Sequence, residues 1–150
     1  MTTEARDALV ERFRAGPARV AELAPAAAAV AARGDRVPDG WSEREIVAHL
    51  VRVDREVFQV RLLDLTRPSE PHWSWVEPGA EPGRATLATL VAQFATIRKA
   101  TVAHLAGLDD AGWARSGVHA TYGRLDVAGL LGIAIDHDAD HIAELERRAG

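Results

Sequence analysis

Residues 136–145 read Asp136-His137-Asp138-Ala139-Asp140-His141-Ile142-Ala143-Glu144-Leu145. The apolar positions in and before this stretch, Leu130, Leu131, Ala134, Ile142 and Leu145, recur at the three- and four-residue spacing of one helix face. His137 and His141 fall on that face about one turn apart, so both rings can reach one metal ion. On a helical wheel Glu144 lies within roughly 20° of His137 and Asp140 within roughly 60°, whereas Asp136 and Asp138 point to the sides. The spacing predicts a helix from Val127 to about Arg148, with Asp126 as its cap. Alone, a His-x-x-x-His pair is more often a packing or surface feature than a ligand set.

Three further stretches carry the same period. Residues 3–33 read as helix through Leu9, Val10 and Phe13, then Val20, Leu23, Ala27 and Val30; Gly16-Pro17 predicts a break or kink, Pro25 a second bend, and Gly34 the stop. Residues 36–40 read as loop. Ser42 and Glu45 form a capping box, with Trp41 placed to pack on Ile46 as a hydrophobic staple. The helix they open runs from about Glu43 to Thr66, with Ile46, Leu50, Val53, Val57 and Val60 on its apolar face and His49 inside that stripe. Leu87, Leu90, Val91, Phe94, Ile97, Thr101 and Leu105 predict a third long helix, from about Ala85 to Ala106, with His104 near its C-terminus. Between the second and third, residues 67–84 form a Pro/Gly-rich loop long enough to be a lid or crossover; Trp73 and Trp75 are placed to line a pocket mouth, and His72 is as well placed to face solvent. Asp109 to Trp113 reads as one helical turn, and residues 116–124, with His119 and Tyr122-Gly123, as irregular.

Four long amphipathic helices and no strand run predict an all-α fold, a four-helix bundle in one domain over residues 1–150. The long loop between helices 2 and 3 permits a crossover, so up-down-up-down connectivity does not follow. A chain of 150 residues buries about two thirds of its unfolded surface without help.

Composition narrows the function. Net charge is -4, with no dense Lys/Arg cluster, which disfavours nucleic-acid binding. The N-terminus lacks the order of a secretory signal, and the Ala-rich run 24–32 is too short to span a bilayer, so a cytoplasmic protein is expected. There are 0 cysteines, hence no disulfide or thiolate ligand, and any sulfur chemistry needs an outside thiol. Lys99 is the sole lysine and alanine abounds, the signature of a GC-rich bacterial genome.

Histidines on the inward faces of two helices define the candidate site. A polar ring aimed at a core must find a partner, since unpaired burial costs about 1–3 kcal/mol. His49, His137 and His141 as neutral imidazoles suit a divalent transition metal and leave coordination positions open. Glu144, Asp140, Glu45 and Glu56 are candidate acceptors for the far ring N–H groups, Glu45 being occupied by capping. The plain alternative is an apolar bundle with satisfied core histidines.

Two motifs in order, Trp41-Ser42-x-x-Glu45-Ile46-x-x-His49-Leu50 and Tyr122-Gly123-Arg124-Leu125-Asp126-Val127 leading into His137-x-x-x-His141, resemble the DinB/YfiT-like superfamily over nearly the whole chain. The resemblance implies a four-helix bundle of unusual connectivity that holds a divalent metal on three motif histidines, which map onto His49, His137 and His141. It also implies zinc, nickel or iron as the ion, a thiol S-transferase using mycothiol or bacillithiol as one activity, a small-molecule electrophile as its other substrate, and a homodimer. Mycothiol fits the GC-rich composition best. A metal-dependent hydrolase with Glu144 or Asp140 as base, and a non-catalytic metal-binding stress or interaction module, are the alternatives.

Overall fold

The computed structural model describes residues 1–34, 40–80 and 83–150. The expected 36–40 loop therefore lies, apart from Gly40, outside the described residues. Helix α1 spans Thr3–Ala32. The second long helix is built from α2 (Glu43–Val53), a π-helical turn (Asp54–Phe58) and α3 (Gln59–Asp64). Helices α4 (Leu87–Ala106) and α6 (Val127–Ala149) complete the bundle, with short α5 (Asp110–Ala114) between them. Helix α1 packs chiefly on α6 and α4, and α2 on α4, so sequence neighbours α1 and α2 are not the principal partners. The chain does not go round the bundle in order.

The ends follow local chemistry. The Ser42–Glu45 capping box is present, and the Asp126 side chain accepts from Gly129 N at 2.8 Å. Helix α4 starts at Leu87, two residues later than expected, because the Thr86 side chain caps it by accepting from Thr89 N. The expected break at Gly16-Pro17 and bend at Pro25 do not interrupt α1, which keeps both prolines inside one helix. Pro17 has no N–H for the carbonyl of Phe13, and Arg98 Nη1 donates to that carbonyl at 2.5 Å instead. Pro25 and Ala21 are both exposed, so the carbonyl freed there is open to water.

The π turn corrects the predicted face of the second helix. Its extra residue rotates everything beyond it by about 100°. Val60, expected inside, is 45% exposed, and Arg61, Leu62 and Leu65 turn inward instead.

Residues 116–124, expected to be irregular, contain strands. Strands β1 (His72–Trp73), β2 (Ser116–His119) and β3 (Gly123–Asp126) form a sheet of that order, β1 parallel to β2 and β2 antiparallel to β3. A Cβ on Gly117 would stand 2.6 Å from the Trp73 ring, so only glycine lets the loop lie this close. The sheet ties the segment after α3 to the start of α6.

Two apolar clusters fill the bundle, one around Phe13, Phe58, Leu105 and Leu131, the other around Val20, Ile46, Phe94 and Leu145. Polar residues occupy the level between them. Arg98 is 2% exposed and binds Asp54 (Nη2–Oδ1, 2.9 Å) and Asp138 (Nη1–Oδ2, 2.7 Å), with its guanidinium 4.0 Å from the Phe13 ring centroid. Asp138, expected to point sideways, is buried, because α6 packs against α1 along much of its length and its flank closes onto Arg98. Burial and the neighbouring Asp54 push Asp138 up to about 6, against the pull of Arg98.

Candidate metal centre

His49 sits in the middle of α2, 1% exposed, and His137 and His141 project from α6. The His49 ring centroid lies 5.1 Å from that of His137 and 5.0 Å from that of His141, and the α6 pair are 4.8 Å apart. Each ring offers one nitrogen, and these atoms all lie within 4.8 Å of one another. His49 Nε2 and His137 Nε2 are the nearest, at 3.1 Å.

His49 Nδ1 is 2.6 Å from the carbonyl oxygen of Pro78 and donates to it, which leaves the Nε2 lone pair facing the other rings. His141 Nδ1 is buried without a hydrogen-bond partner among the described residues, 3.8 Å from the Glu144 carboxylate. Burial lowers the pKa of all three histidines. His137 is held down to about 3, by burial first and then by the neighbouring charges of His141, His49 and Arg98. The cluster is thus neutral at pH 7, as metal ligation requires. Two nitrogens on one ion at about 2.1 Å stand roughly 3.0–3.4 Å apart, so the His49–His137 separation suits a shared cation. The three imidazoles fit a divalent transition metal.

The sequence profile of the DinB superfamily matches residues 1–145. The chain belongs to the DinB superfamily. Among solved structures it is similar to YfiT from Bacillus subtilis, described as a probable metal-dependent hydrolase with an unusual four-helix bundle topology. The TM-score is 0.71 at 22% identity, covering 99% of this chain and 89% of that one, and the likeness shows the fold. No curated protein matches.

In this member of the DinB superfamily the surroundings of the three rings differ from the expected ones. Pro78, from the long loop, supplies the acceptor for His49. Glu45 is engaged in the capping box, as expected, whereas Glu56 pairs with Arg52 at 3.2 Å. Glu144 is hydrogen-bonded by Arg148, which also donates to the carbonyl of Trp41 at 2.7 Å. The Trp41 ring stands 4.9 Å from the His49 ring and covers it. Asp140 is exposed and lines a cavity beside His137.

That cavity, about 330 Å³, has an apolar wall of Val57, Phe58, Trp75, Val76 and Ile133. Glu77, Asp136 and Asp140 line it as well, together with Tyr122 and Arg61. Trp75 lines it as expected; Trp73 instead lines a neighbouring cleft and donates its indole N–H to Asp64 at 3.1 Å. His72 is exposed. Pro78 and Glu77 carried no signal in the sequence, since a backbone carbonyl is common to every residue and Glu77 is one acid in a loop. Nor did Arg61, which faces inward only because the π turn shifts the helical register by a residue.

Proposed function

We infer that the protein is a divalent-metal-dependent enzyme acting on a small electrophile with a nucleophile drawn from solution, in the first instance the sulfur of a low-molecular-weight thiol such as mycothiol. The observation that carries this reading is the convergence of three neutral imidazoles beside a cavity that shares His137 with them. A cation held by His49, His137 and His141 supplies Lewis acidity, lowering the pKa of a thiol from near 8.5 or of a water. Pro78 and Trp41 fix the His49 ring from its far edge and its face. The Trp75 and Tyr122 rings, 6.1 Å apart, bound the space for the electrophile. The absence of cysteine is consistent with an external sulfur. In the transfer, sulfur bonds to the electrophilic carbon, the leaving group departs with its electron pair, and the thiol proton passes to solvent.

Hydrolysis is the second reading, favoured by the Asp140 and Glu77 carboxylates in the cavity wall, either of which can take a proton from an attacking water. The description of YfiT points the same way. Incubating zinc-, nickel- or iron-loaded protein with mycothiol or bacillithiol and a chloronitroarene, and separately with 4-nitrophenyl acetate and no thiol, separates them. Thiol loss that needs both ion and protein supports transfer. Ester cleavage without thiol, and no thiol loss, overturns transfer in favour of hydrolysis.

A further inference from the structure

Two arginines are buried among the described residues, and their circumstances differ. Arg98, 2% exposed, meets two carboxylates and the Phe13 carbonyl. Arg61, 7% exposed, has one hydrogen bond among the described residues, from Nη2 to the carbonyl of Ser74 at 2.9 Å. Its guanidinium lies 5.9 Å from the centroid of the Trp73 ring, a weak contact for a buried cation. The neighbouring Asp64 carboxylate is taken up with the Trp73 indole and with Arg67. A guanidinium has five N–H donors and is not neutralised in a protein, so burial without a carboxylate is costly unless a ligand supplies one.

Arg61 lines the cavity beside the histidine cluster. It lies one helical turn beyond Phe58, whose ring is 6.2 Å from that of His137. Beside Tyr122, outside the cavity lining, is a second donor with no acceptor among the described residues. His119 Nδ1 accepts from the N–H groups of Thr121 (3.0 Å) and Tyr122 (3.2 Å), which places the proton on Nε2, and Nε2 is buried without a partner among the described residues. The His119 and Tyr122 rings are 4.8 Å apart, and Tyr122 lines the cavity. The acidic groups Glu77, Asp136 and Asp140 line the cavity together with His137.

We propose that Arg61 is an anion-recognition residue, which seats the carboxylate of a small substrate in the cavity and directs the rest of its body along the Trp75–Tyr122 wall towards the histidine cluster. It names the substrate class of the enzyme inferred above and rests on that reading only for the reaction. The anion site itself uses no metal ligand. A planar carboxylate matches the guanidinium fork in charge and shape, and the apolar wall suits an aryl or alkyl body.

The test is calorimetric titration of benzoate and its neutral isostere benzamide into metal-free and zinc-loaded protein, with Arg61→Gln and Arg61→Lys alongside. Benzoate is expected to bind wild type roughly ten- to a hundredfold tighter than benzamide in both forms. Arg61→Gln is expected to abolish that preference and Arg61→Lys to restore part of it. Equal binding of the two probes by wild type, or no binding of either, overturns the proposal without need of a folded variant. A preference confined to zinc-loaded protein and intact in Arg61→Gln overturns it too, by assigning the carboxylate to the ion, while leaving the metal centre standing. A preference for benzoate in protein that takes up no zinc upholds Arg61 and removes the enzyme reading instead.

Discussion

His49 Nε2 and His137 Nε2 stand 3.1 Å apart, although 88 positions separate the residues in the chain. The Pro78 carbonyl holds the proton of His49 on the opposite nitrogen, so at least one bare lone pair faces the second ring. In the metal-free protein a neutral His137 can donate its Nε2 proton to that lone pair, and a shared cation would take the place of the proton.

Metal affinity should fall less on acidification than that of an ordinary histidine cluster. A ligand competes with protons only below its folded pKa. Burial puts all three pKa values below the usual 6.5, and that of His137 at about 3. Zinc competition titrations between about pH 7.5 and about pH 5.5 should show a shallower slope of log K against pH than three imidazoles of ordinary pKa would give. A slope that climbs towards three protons per ion at the acid end of that range would mean that the rings titrate normally.

Arg98→Leu should cost about 3–5 kcal/mol in urea unfolding, since it strands two buried carboxylates and the Phe13 carbonyl together. A loss below about 1 kcal/mol would show that the network contributes little.

Gly16→Ala tests the same junction from α1. The added Cβ would lie 2.4 Å from Asp138 Oδ2 and 3.2 Å from Arg98 Nη1. Helix propensity alone favours alanine by about 1 kcal/mol, but the clash should reverse the sign and destabilise the fold by about 1–3 kcal/mol. A variant that melts higher than wild type would contradict the close approach.

Glu144→Gln should leave metal content unchanged and cost at most about 1 kcal/mol, because the carboxylate is partly exposed and occupied by Arg148. Asp140→Asn should also keep the metal, and it should depress turnover by about 10²-fold or more only if the reaction is hydrolytic. Metal analysis and steady-state rates on the two variants check both statements.

The sequence showed the bundle clearly because four apolar stripes repeat over long stretches, and it showed His49, His137 and His141 because each falls on such a stripe. It hid the strands, since runs of four residues or fewer, such as Ser116–His119, are too short to show alternation. The π turn was hidden for another reason: one extra hydrogen-bonded residue leaves no compositional trace, and it moved Val60 out and Arg61 in. The buried arginine network could have been found. Phe94, Arg98, Thr101 and Leu105 are spaced four, three and four apart, which puts Arg98 on the inward stripe that Ile97 was expected to fill. Pro78 could not, because it acts through its backbone.

Equilibrium dialysis of tag-free protein against zinc, nickel and ferrous iron in turn, with the bound ion counted per chain, tests the metal centre most directly. Wild type should hold one equivalent of at least one of these ions, and His49→Ala and His137→Ala should each lose it while remaining folded by circular dichroism. Wild type that takes up none of the three, or a His49→Ala variant that binds as wild type does, would contradict it.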